Sequence, residues 1–465
     1  MAHIVASKGE DVDMGKEESA FGMGDLPAEL LLEIFTYCMT QDSLSLVNLR
    51  GVSWLWRNLV DSSPKLWQIV ALDDSNHLFS GKRVALWAEK CKLPSYDVEL
   101  NVKDPDNVLP LLSPLLPSMA RWQRLRLCNA LEDEIDMEES GITVDTLTHL
   151  HLCLYDVEQH DAEDDPKLTF SPISPGEDSN FAMSLWITKL PSPKILAPLL
   201  FVHVTIAEGG ENGLYTQPKF ILEFLSACPE LESFFLSGWQ HDEPIVRPLP
   251  VVYLPNLVTL HLKRTCFARA FLSSIHAPNL QNLFLSLLNV DFQLQAEEPE
   301  PGDSDDEARD FSQSPWSDRA TGMGLRKLIQ RSNPPIRILE MDFCDMRTKD
   351  FQHVFDRLTY LEDFHIVASD MSDKVINLLR PIEPPPNGQD KLVRLRLPRL
   401  KKLRLRNCQR LTGQVLLDAI VSRVRWTDRA YPDWTLTAVH IDGCDGFSAF
   451  DRSDLLIAIG NRLKL

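Results

Sequence analysis

The chain has 465 residues, of which 44% are hydrophobic and 25% are charged, and its formal net charge is -20. This length exceeds that of a typical single domain, so we expect two domains, or one small module followed by an elongated array. The composition is that of a globular protein rather than a disordered one. The negative charge argues against general binding to nucleic acid or to anionic membranes, because both would repel the protein.

Nine cysteines are scattered along the chain without a Cys-x-x-Cys pair, which indicates a reducing compartment. Charged residues interrupt the N-terminal segment, so it lacks the apolar stretch of a secretory signal. No apolar run approaches the roughly 18 residues of a membrane span. We therefore expect a cytoplasmic or nuclear protein that does not associate with membranes.

Residues 1–22 are acidic and aperiodic and are predicted to be disordered. Three short amphipathic helices are predicted to follow. In the first helix, apolar residues recur every four positions, at Leu26, Leu30, Ile34 and Cys38. Asp42 and Ser53 are suited to the starts of the second and third helices.

The stretch from Leu26 to Trp67 reads LPAELLLEIFTYCMTQDSLSLVNLRGVSWLWRNLVDSSPKLW and resembles the F-box family. The residues that fall in the order of that family are Leu26-Pro27, Glu29-Leu30-Leu31, Ile34-Phe35, Val52-Ser53, Trp56-Arg57, Pro64 and Leu66-Trp67. Cys38 departs from the family, which usually has leucine there. The segment from Met39 to Gly51 is longer than in compact examples, which leaves the register of the second helix open.

The resemblance implies that this module, placed at residues 23–70, binds the Skp-type adaptor of a Skp-cullin-F-box ubiquitin ligase and, through it, the cullin-RING scaffold. The adaptor-binding residues that it implies are Leu26, Pro27, Leu30, Leu31, Ile34, Phe35, Val52, Trp56 and Trp67. The residues themselves also indicate a partner, because so small a unit carries more apolar residues than its own core can bury. The alternative is a three-helix cap that seals the end of a repeat array.

From residue 119 a second pattern recurs: one apolar residue, two variable residues, an apolar residue, one variable residue and a third apolar residue. Its ten copies are Trp122/Leu125/Leu127, Leu147/Leu150/Leu152, Leu199/Val202/Val204, Leu231/Phe234/Leu236, Leu257/Leu260/Leu262, Leu280/Leu283/Leu285, Ile336/Leu339/Met341, Leu361/Phe364/Ile366, Leu400/Leu403/Leu405 and Leu436/Val439/Ile441. Several neighbouring copies start 23 to 26 residues apart, a period typical of leucine-rich repeats.

The predicted fold is therefore α/β, with the F-box followed by an irregular leucine-rich-repeat solenoid at residues 119–465. A curved parallel sheet is expected to line the solenoid, with helices or loops on the convex side. Residues 71–118 are interpreted as a linker and N-terminal cap of the solenoid. Residues 295–320 are acidic and rich in proline and serine, which predicts a disordered insertion.

In such repeats the variable residues that flank the apolar ones point out of the sheet, where a protein substrate can bind. The candidate substrate-binding residues are Arg394, Arg396, Lys402, Arg404, Arg406, His149, His151 and His261. Residues 391–429 contain twelve Lys or Arg and two acids, so an acidic or phosphorylated segment is one interpretation of the ligand. The other interpretation is that a solvated strand face happens to be basic there.

The sequence carries no H-E-x-x-H, G-x-S-x-G or P-loop motif, and Gly322-Met-Gly324 lacks the third glycine of a nucleotide site. His149 and His151 share one side of a strand, yet no set of about four converging ligands completes a metal site. We expect no cofactor, no metal and no catalytic residue.

The function that these observations favour is a non-enzymatic substrate receptor, which acts by holding a substrate near the ubiquitin-carrying enzyme. Three alternatives stay open. The chain could bind the adaptor outside a cullin ligase, it could be a plain repeat scaffold, or it could activate a GTPase by supplying an arginine.

Overall fold

A computed structural model of the chain describes residues 26–41, 45–74, 84, 86–87, 89–128, 134–135, 147–155, 168–173, 180–208, 215–238, 244–288, 321–344, 346–369, 371–382 and 393–464. The predicted acidic N-terminus (1–22) and the predicted acidic insertion (295–320) lie outside these residues.

The α-helices are α1 (Ala28–Gln41), α2 (Ser45–Val52), α3 (Trp54–Ser62), α4 (Val108–Leu112), α5 (Pro218–Leu225), α6 (Ala268–Ser274), α7 (Thr321–Ser332), α8 (Thr348–Arg357), α9 (Asp373–Asn377), α10 (Gly413–Ala430) and α11 (Ala449–Ile459). Short 3-10 helices occupy Pro64–Trp67, Pro105–Asn107, Leu116–Arg121, Pro432–Trp434 and Gly460–Arg462. The strands are β1 (Ile69–Asp73), β2 (Tyr96–Asn101), β3 (Trp122–Cys128), β4 (Glu134–Ile135), β5 (Leu147–Leu154), β6 (Leu168–Pro172), β7 (Phe181–Ile187), β8 (His203–Glu208), β9 (Ser233–Ser237), β10 (Val252–Tyr253), β11 (Thr259–Lys263), β12 (Ile275–His276), β13 (Asn282–Ser286), β14 (Ile338–Asp342), β15 (Asp363–Val367), β16 (Lys402–Arg406), β17 (Ala438–Asp442) and β18 (Leu463–Lys464).

Helices α1 to α3 form a small N-terminal module whose core is joined to the sheet that follows. The hydroxyl of Ser53 caps α3 by accepting a hydrogen bond from the backbone N–H of Trp56 at 3.1 Å. The indole N–H of Trp67 donates to the carbonyl of Val60 at 2.8 Å, and the Trp67 ring lies 5.5 Å from the ring of Trp87. Trp67 is fully buried, so it links the last turn of α3 to the first strands.

The first sheet has the strand order β1-β2-β3-β4, with β1, β2 and β3 parallel. Parallel strands thus begin at Ile69, whereas the sequence pattern placed the start of the array at residue 119. Trp67, Val70 and Leu72 fit the apolar pattern at β1, but the pattern was followed only from residue 119, so β1 and β2 were not assigned to the array.

The large sheet has twelve strands within the described residues, in the order β18-β17-β16-β15-β14-β13-β11-β9-β8-β5-β7-β6. All of its strand pairs are parallel except β6 with β7. The predicted α/β class with a mostly parallel sheet is confirmed. Nine of the ten apolar triplets place their second and third members in β3, β5, β9, β11 and β13 to β17. The triplet Leu199/Val202/Val204 is out of register by two residues, because Val204 and Ile206 of β8 pair with Phe234 and Leu236.

One turn geometry recurs at the carboxyl ends of six of these strands. The residue that follows each strand has a positive φ of 46 to 62°, at Arg264, Leu287, Phe343, Ala368, Asn407 and Gly443. For the first five, the backbone N–H donates at 2.7 to 3.0 Å to the carbonyl of the last residue in the next strand. The chain therefore leaves the sheet in the same way from one strand to the next, which is the structural counterpart of the sequence period.

Helix α7 contains Gly322 and Gly324, the two glycines whose spacing does not fit a nucleotide site. The packing of this helix explains why glycine occupies both positions. A Cβ at Gly324 would lie 2.7 Å from the Cα of Arg269, which is the second residue of α6. A Cβ at Gly322 would lie 2.8 Å from the carboxylate of Asp350 in α8. Both glycines thus allow close packing of neighbouring helices rather than contact with a phosphate.

Asp106 joins the first sheet to the large sheet from a buried position, with 5% of its surface exposed. Its carboxylate accepts hydrogen bonds from the backbone N–H groups of Thr188 and Lys189, at 2.6 and 3.4 Å, and from the Thr188 hydroxyl. These three donors belong to the segment that directly follows β7.

We expect Asp106→Ala to lower the free energy of unfolding by about 1–3 kcal/mol, because it leaves buried backbone N–H groups without an acceptor. Urea unfolding followed by circular dichroism would measure this. Glu89→Ala is the control, since the Glu89 side chain is 70% exposed and its loss should change little. A change at Asp106 as small as the control would show that this connection is not stabilising.

Candidate protein-binding surfaces

The structure divides the nine predicted adaptor-binding residues into three groups. Leu31, Phe35 and Trp67 are at most 1% exposed and belong to the core of the chain itself. Three others are half-buried, namely Leu26, Ile34 and Trp56, and the remaining three are exposed, namely Pro27, Leu30 and Val52. Leu31, Phe35 and Trp67 therefore maintain the shape of the module but present no surface to a partner.

Further apolar side chains of the module are exposed that the sequence analysis did not single out. Trp54 is 76% exposed, Tyr37 is 68% exposed and Leu55 is 40% exposed. Together with Leu30 and Val52 they form what we call the N-terminal apolar residues. Tyr37 follows Leu30 by seven positions, so both lie on one side of α1, and this spacing was visible in the sequence. Five large apolar side chains exposed within so small a module indicate a binding surface.

An ion pair holds the helices that carry Val52 and Trp54. Arg50 in α2 donates two hydrogen bonds to the carboxylate of Asp61 in α3, at 2.7 and 3.2 Å. These hydrogen bonds lower the pKa of Asp61 and raise that of Arg50. The pair fixes the angle between α2 and α3 and so the relative positions of their exposed apolar residues.

The large sheet has one face packed into the core and one face that we call the open face. Residues alternate between the two along each strand, for example in β11, where Leu260 and Leu262 are buried and His261 is half-buried. Parallel register aligns the residues of the open face into rows across the sheet. The central row runs through His151, Thr205, Phe235, His261, Phe284, Glu340, His365, Arg404, His440 and Lys464.

Rings stack along this open face. The ring of His261 lies 4.1 Å from that of Phe284, at an angle of 7°, and 5.6 Å from that of Phe235. His149 and His203 stack in the same way at 4.1 Å. Burial lowers the pKa of all three histidines, and that of His149 falls to about 4 because His203 and His151 are also close. These imidazoles are therefore neutral at physiological pH and behave as flat, weakly polar surfaces.

Two of the predicted substrate-binding arginines do not lie on the open face. Arg394 and Arg396 donate to one carboxylate oxygen of Asp356 in α8, at 3.2 and 2.9 Å. Arg394 forms only an isolated antiparallel bridge with Ile382. The prediction that they share a face with β16 is wrong, because the alternating Leu-Arg pattern is held against a helix instead of forming a strand.

Lys402, Arg404 and Arg406 do lie in β16 with their side chains on the open face, beside carboxylates of neighbouring strands. Arg404 donates to Asp363 at 3.0 Å, and the ammonium of Lys402 lies 3.8 Å from the same carboxylate. Arg406 lies 3.7 Å from Asp442, and both of these side chains are more than half exposed. The basic run is thus partly neutralised, which its linear sequence did not indicate.

A cleft of about 310 Å³ lies over β15 to β18 at the end of the sheet. The side chains that can carry positive charge in its lining are His365, Arg404, Arg406, His440, Arg452 and Lys464, and Asp442 is the carboxylate among the lining residues. Arg452 comes from α11, where its guanidinium donates to the carbonyl of Ile441 at 2.8 Å. Neither Arg452 nor Lys464 belongs to an apolar triplet, so the sequence pattern did not identify them.

Among the described residues, no group of three or more His, Cys, Asp or Glu side chains is arranged to hold a metal ion. In the same part of the chain, no helix is both long enough and apolar enough to cross a membrane.

A family model described as F-box-like matches residues 23–73. The matched range covers α1 to α3, the 3-10 helix at Pro64–Trp67 and β1. It supports the F-box resemblance and extends three residues past the predicted boundary at residue 70. A comparison with curated proteins found no match.

The stacked histidines predict a pH-dependent stability. Because the pKa of His149 is about 4 in the folded chain and near 6.5 in an unfolded one, the unfolded chain binds the proton more readily below pH 6.5. Stability should therefore fall as the pH drops from 6.5 towards 4, and His149→Gln should reduce this fall. Urea midpoints at pH 7.5 and pH 5 would measure it.

Thr205→Val in the neighbouring strand is the control, because it alters the open face without removing a titrating group. An acid-induced loss of stability that is equal in wild type and His149→Gln would contradict this account.

Proposed function

We propose that this F-box-like chain is the substrate-recognition subunit of a Skp-cullin-F-box ubiquitin ligase. The observation that carries the proposal is the coincidence of the family match with the exposed apolar residues. Within the matched residues 23–73, Trp54, Tyr37 and Val52 are each more than 60% exposed. F-box proteins are typically non-enzymatic, and the chemistry of ubiquitin transfer would come from a separate enzyme.

The adaptor would bind the N-terminal apolar residues, with Pro27, Ile34 and Trp56 at the edge of the contact. Burying a large apolar side chain on binding contributes on the order of 1.5–3 kcal/mol, so a few such residues can dominate the interface. Leu31, Phe35 and Trp67 would act indirectly, because they hold the module together and attach it to the first sheet.

The repeating strands would form a leucine-rich-repeat solenoid that presents the substrate site on its open face. Support comes from the period of the apolar triplets, their coincidence with parallel strands and the recurrent turn after six strands. A protein substrate would lie across the central row and contact His151, His261 and Arg404. Such a receptor would work in the cytoplasm or the nucleus.

Two alternatives remain distinguishable by experiment. A module that serves only as a cap for the first sheet would need no exposed Trp54 or Val52, since a cap buries its apolar residues. A protein that binds the adaptor outside a ligase would capture the adaptor but not cullin. Measuring whether the purified chain retains the adaptor, and whether it also retains cullin, distinguishes these two alternatives.

We expect the full chain to retain purified Skp-type adaptor, and the triple variant Leu30→Ala/Val52→Ala/Trp54→Ala to bind it at least roughly 100-fold more weakly. The loss follows from removing three exposed apolar contacts of about 1–2 kcal/mol each. Biolayer interferometry with immobilised chain would measure both affinities, and thermal melting would show that the variant is folded.

The matched control is Phe450→Ala/Ile457→Ala in α11, where the two apolar side chains are 85% and 84% exposed but lie outside the matched module. It should bind the adaptor as wild type does. Failure of the wild type to retain the adaptor would refute the proposal, and retention of adaptor without cullin would favour a role outside a ligase.

A further inference from the structure

The open face carries two chemically different sites at a fixed separation. Phe235, His261 and Phe284 form the first, which we call the ring site. The cleft over β15 to β18 forms the second. We infer that the ligand of the open face is an extended peptide with an aromatic or large aliphatic side chain on the ring site and a phosphorylated side chain in the cleft. This inference rests on the proposed role as a receptor and names the class of its substrate.

The ring site is suited to an apolar side chain. His261 and Phe284 are stacked face to face at 4.1 Å, so they cover each other's inner faces and present their ring edges to a ligand. All three rings are half-buried, and none of them is part of the hydrophobic core behind the sheet. Burial lowers the pKa of His261, so its ring stays uncharged beside the phenylalanines. A further aromatic ring of the ligand can pack edge-to-face or offset against these rings.

The charge of the cleft is suited to a dianion. Arg404, Arg406, Arg452 and Lys464 are four cations in its lining, and Asp442 is the carboxylate among them. Asp363 offsets one further charge because it accepts from Arg404 at 3.0 Å. Two net positive charges remain, which match a phosphate monoester better than a single carboxylate. Arginines also present paired donors that fit phosphate oxygens.

The separation of the two sites follows from the strand order. From β11, which carries His261, to the space between β16 and β17 there are four to five strand spacings. At about 4.8 Å per spacing this is about 22 Å, the length of roughly six or seven residues of an extended chain. The row between them carries Glu340 and His365, whose side chains lie 3.3 Å apart and offer polar groups to a peptide backbone. A peptide that crosses the strands can therefore reach both sites at once.

The test uses the full chain and a pool of synthetic peptides with one fixed phosphoserine flanked by eight randomised positions on each side. The immobilised chain should retain this pool at least tenfold better than the unphosphorylated pool. The retained peptides should be enriched in Phe, Tyr, Trp, Leu or Met about six or seven positions from the phosphoserine on one side.

Two variants separate the two sites. Arg406→Gln/Lys464→Gln should reduce retention of the phosphorylated pool to that of the unphosphorylated pool. Phe284→Ala should keep the preference for phosphate and lose the enrichment at the distant position. The controls are Arg394→Gln, an arginine with a 67% exposed side chain that pairs with α8 instead of facing the cleft, and Phe220→Ala, a 49% exposed phenylalanine in α5. Both controls should behave as wild type, and thermal melts confirm folding.

Equal retention of the phosphorylated and unphosphorylated pools would overturn the inference. So would equal retention of a pool with glutamate in place of phosphoserine, which would assign the cleft to carboxylates, or enrichment of apolar residues only next to the phosphoserine. Adaptor binding depends on the N-terminal module and is measured separately. Its loss would refute the ligase role without changing the peptide result.

Discussion

Parallel pairing in a constant register is the constraint on which the large sheet and its open face depend. Leu260, Leu283, Leu339, Phe364 and Leu403 are Cα partners of one another in successive strands, so their side chains form one continuous buried row. A shift of one residue in any strand would move its apolar side chains to the open face. The same register places Phe235, His261 and Phe284 in contact, although they are far apart in sequence. The core therefore determines the arrangement of the surface.

The N-terminal module obeys a different constraint, because its core is too small to bury all of its apolar residues. Leu31, Phe35 and Val60 fill that core, and Trp67 extends it towards the first sheet. Trp54 and Val52 are left in solvent. An unbound module with such a surface gains stability from a partner, and the family match at residues 23–73 supports an adaptor as that partner. The proposed receptor thus joins a partner-dependent module to a sheet whose core residues are buried within the chain.

Nine of the ten apolar triplets were recognised in register, because buried apolar positions repeat at the same spacing in successive strands. Strands β1, β2, β6 and β7 were missed: β1 and β2 precede residue 119, from which the triplets were followed, and β6 pairs antiparallel to β7 outside the regular repeat. The F-box residues were recognised by their order, but order does not reveal exposure. Leu31 and Leu30 are neighbours in sequence, yet one is buried and the other is 46% exposed.

Charge was the least predictable property from sequence. The basic segment 391–429 is spread over several sides of the chain: Arg396 binds Asp356 in a helix, and Arg423 is fully buried and donates to the backbone carbonyls of Leu379, Arg396 and Leu397. The cleft combines β16 with α11 and β18, whose residues no repeat pattern connects. Only tertiary structure brings these charges together, so the sequence predicted basic residues on β16 but not the site that they form.

The central claim is that adaptor and substrate bind to two separate surfaces of this chain. Hydrogen exchange of the full chain, measured with and without purified Skp-type adaptor, tests it most directly. The account predicts slower exchange in peptides that cover α1 to α3 and unchanged exchange in β11 to β17. Slower exchange across the large sheet, or no protection of the N-terminal module at saturating adaptor, would contradict it.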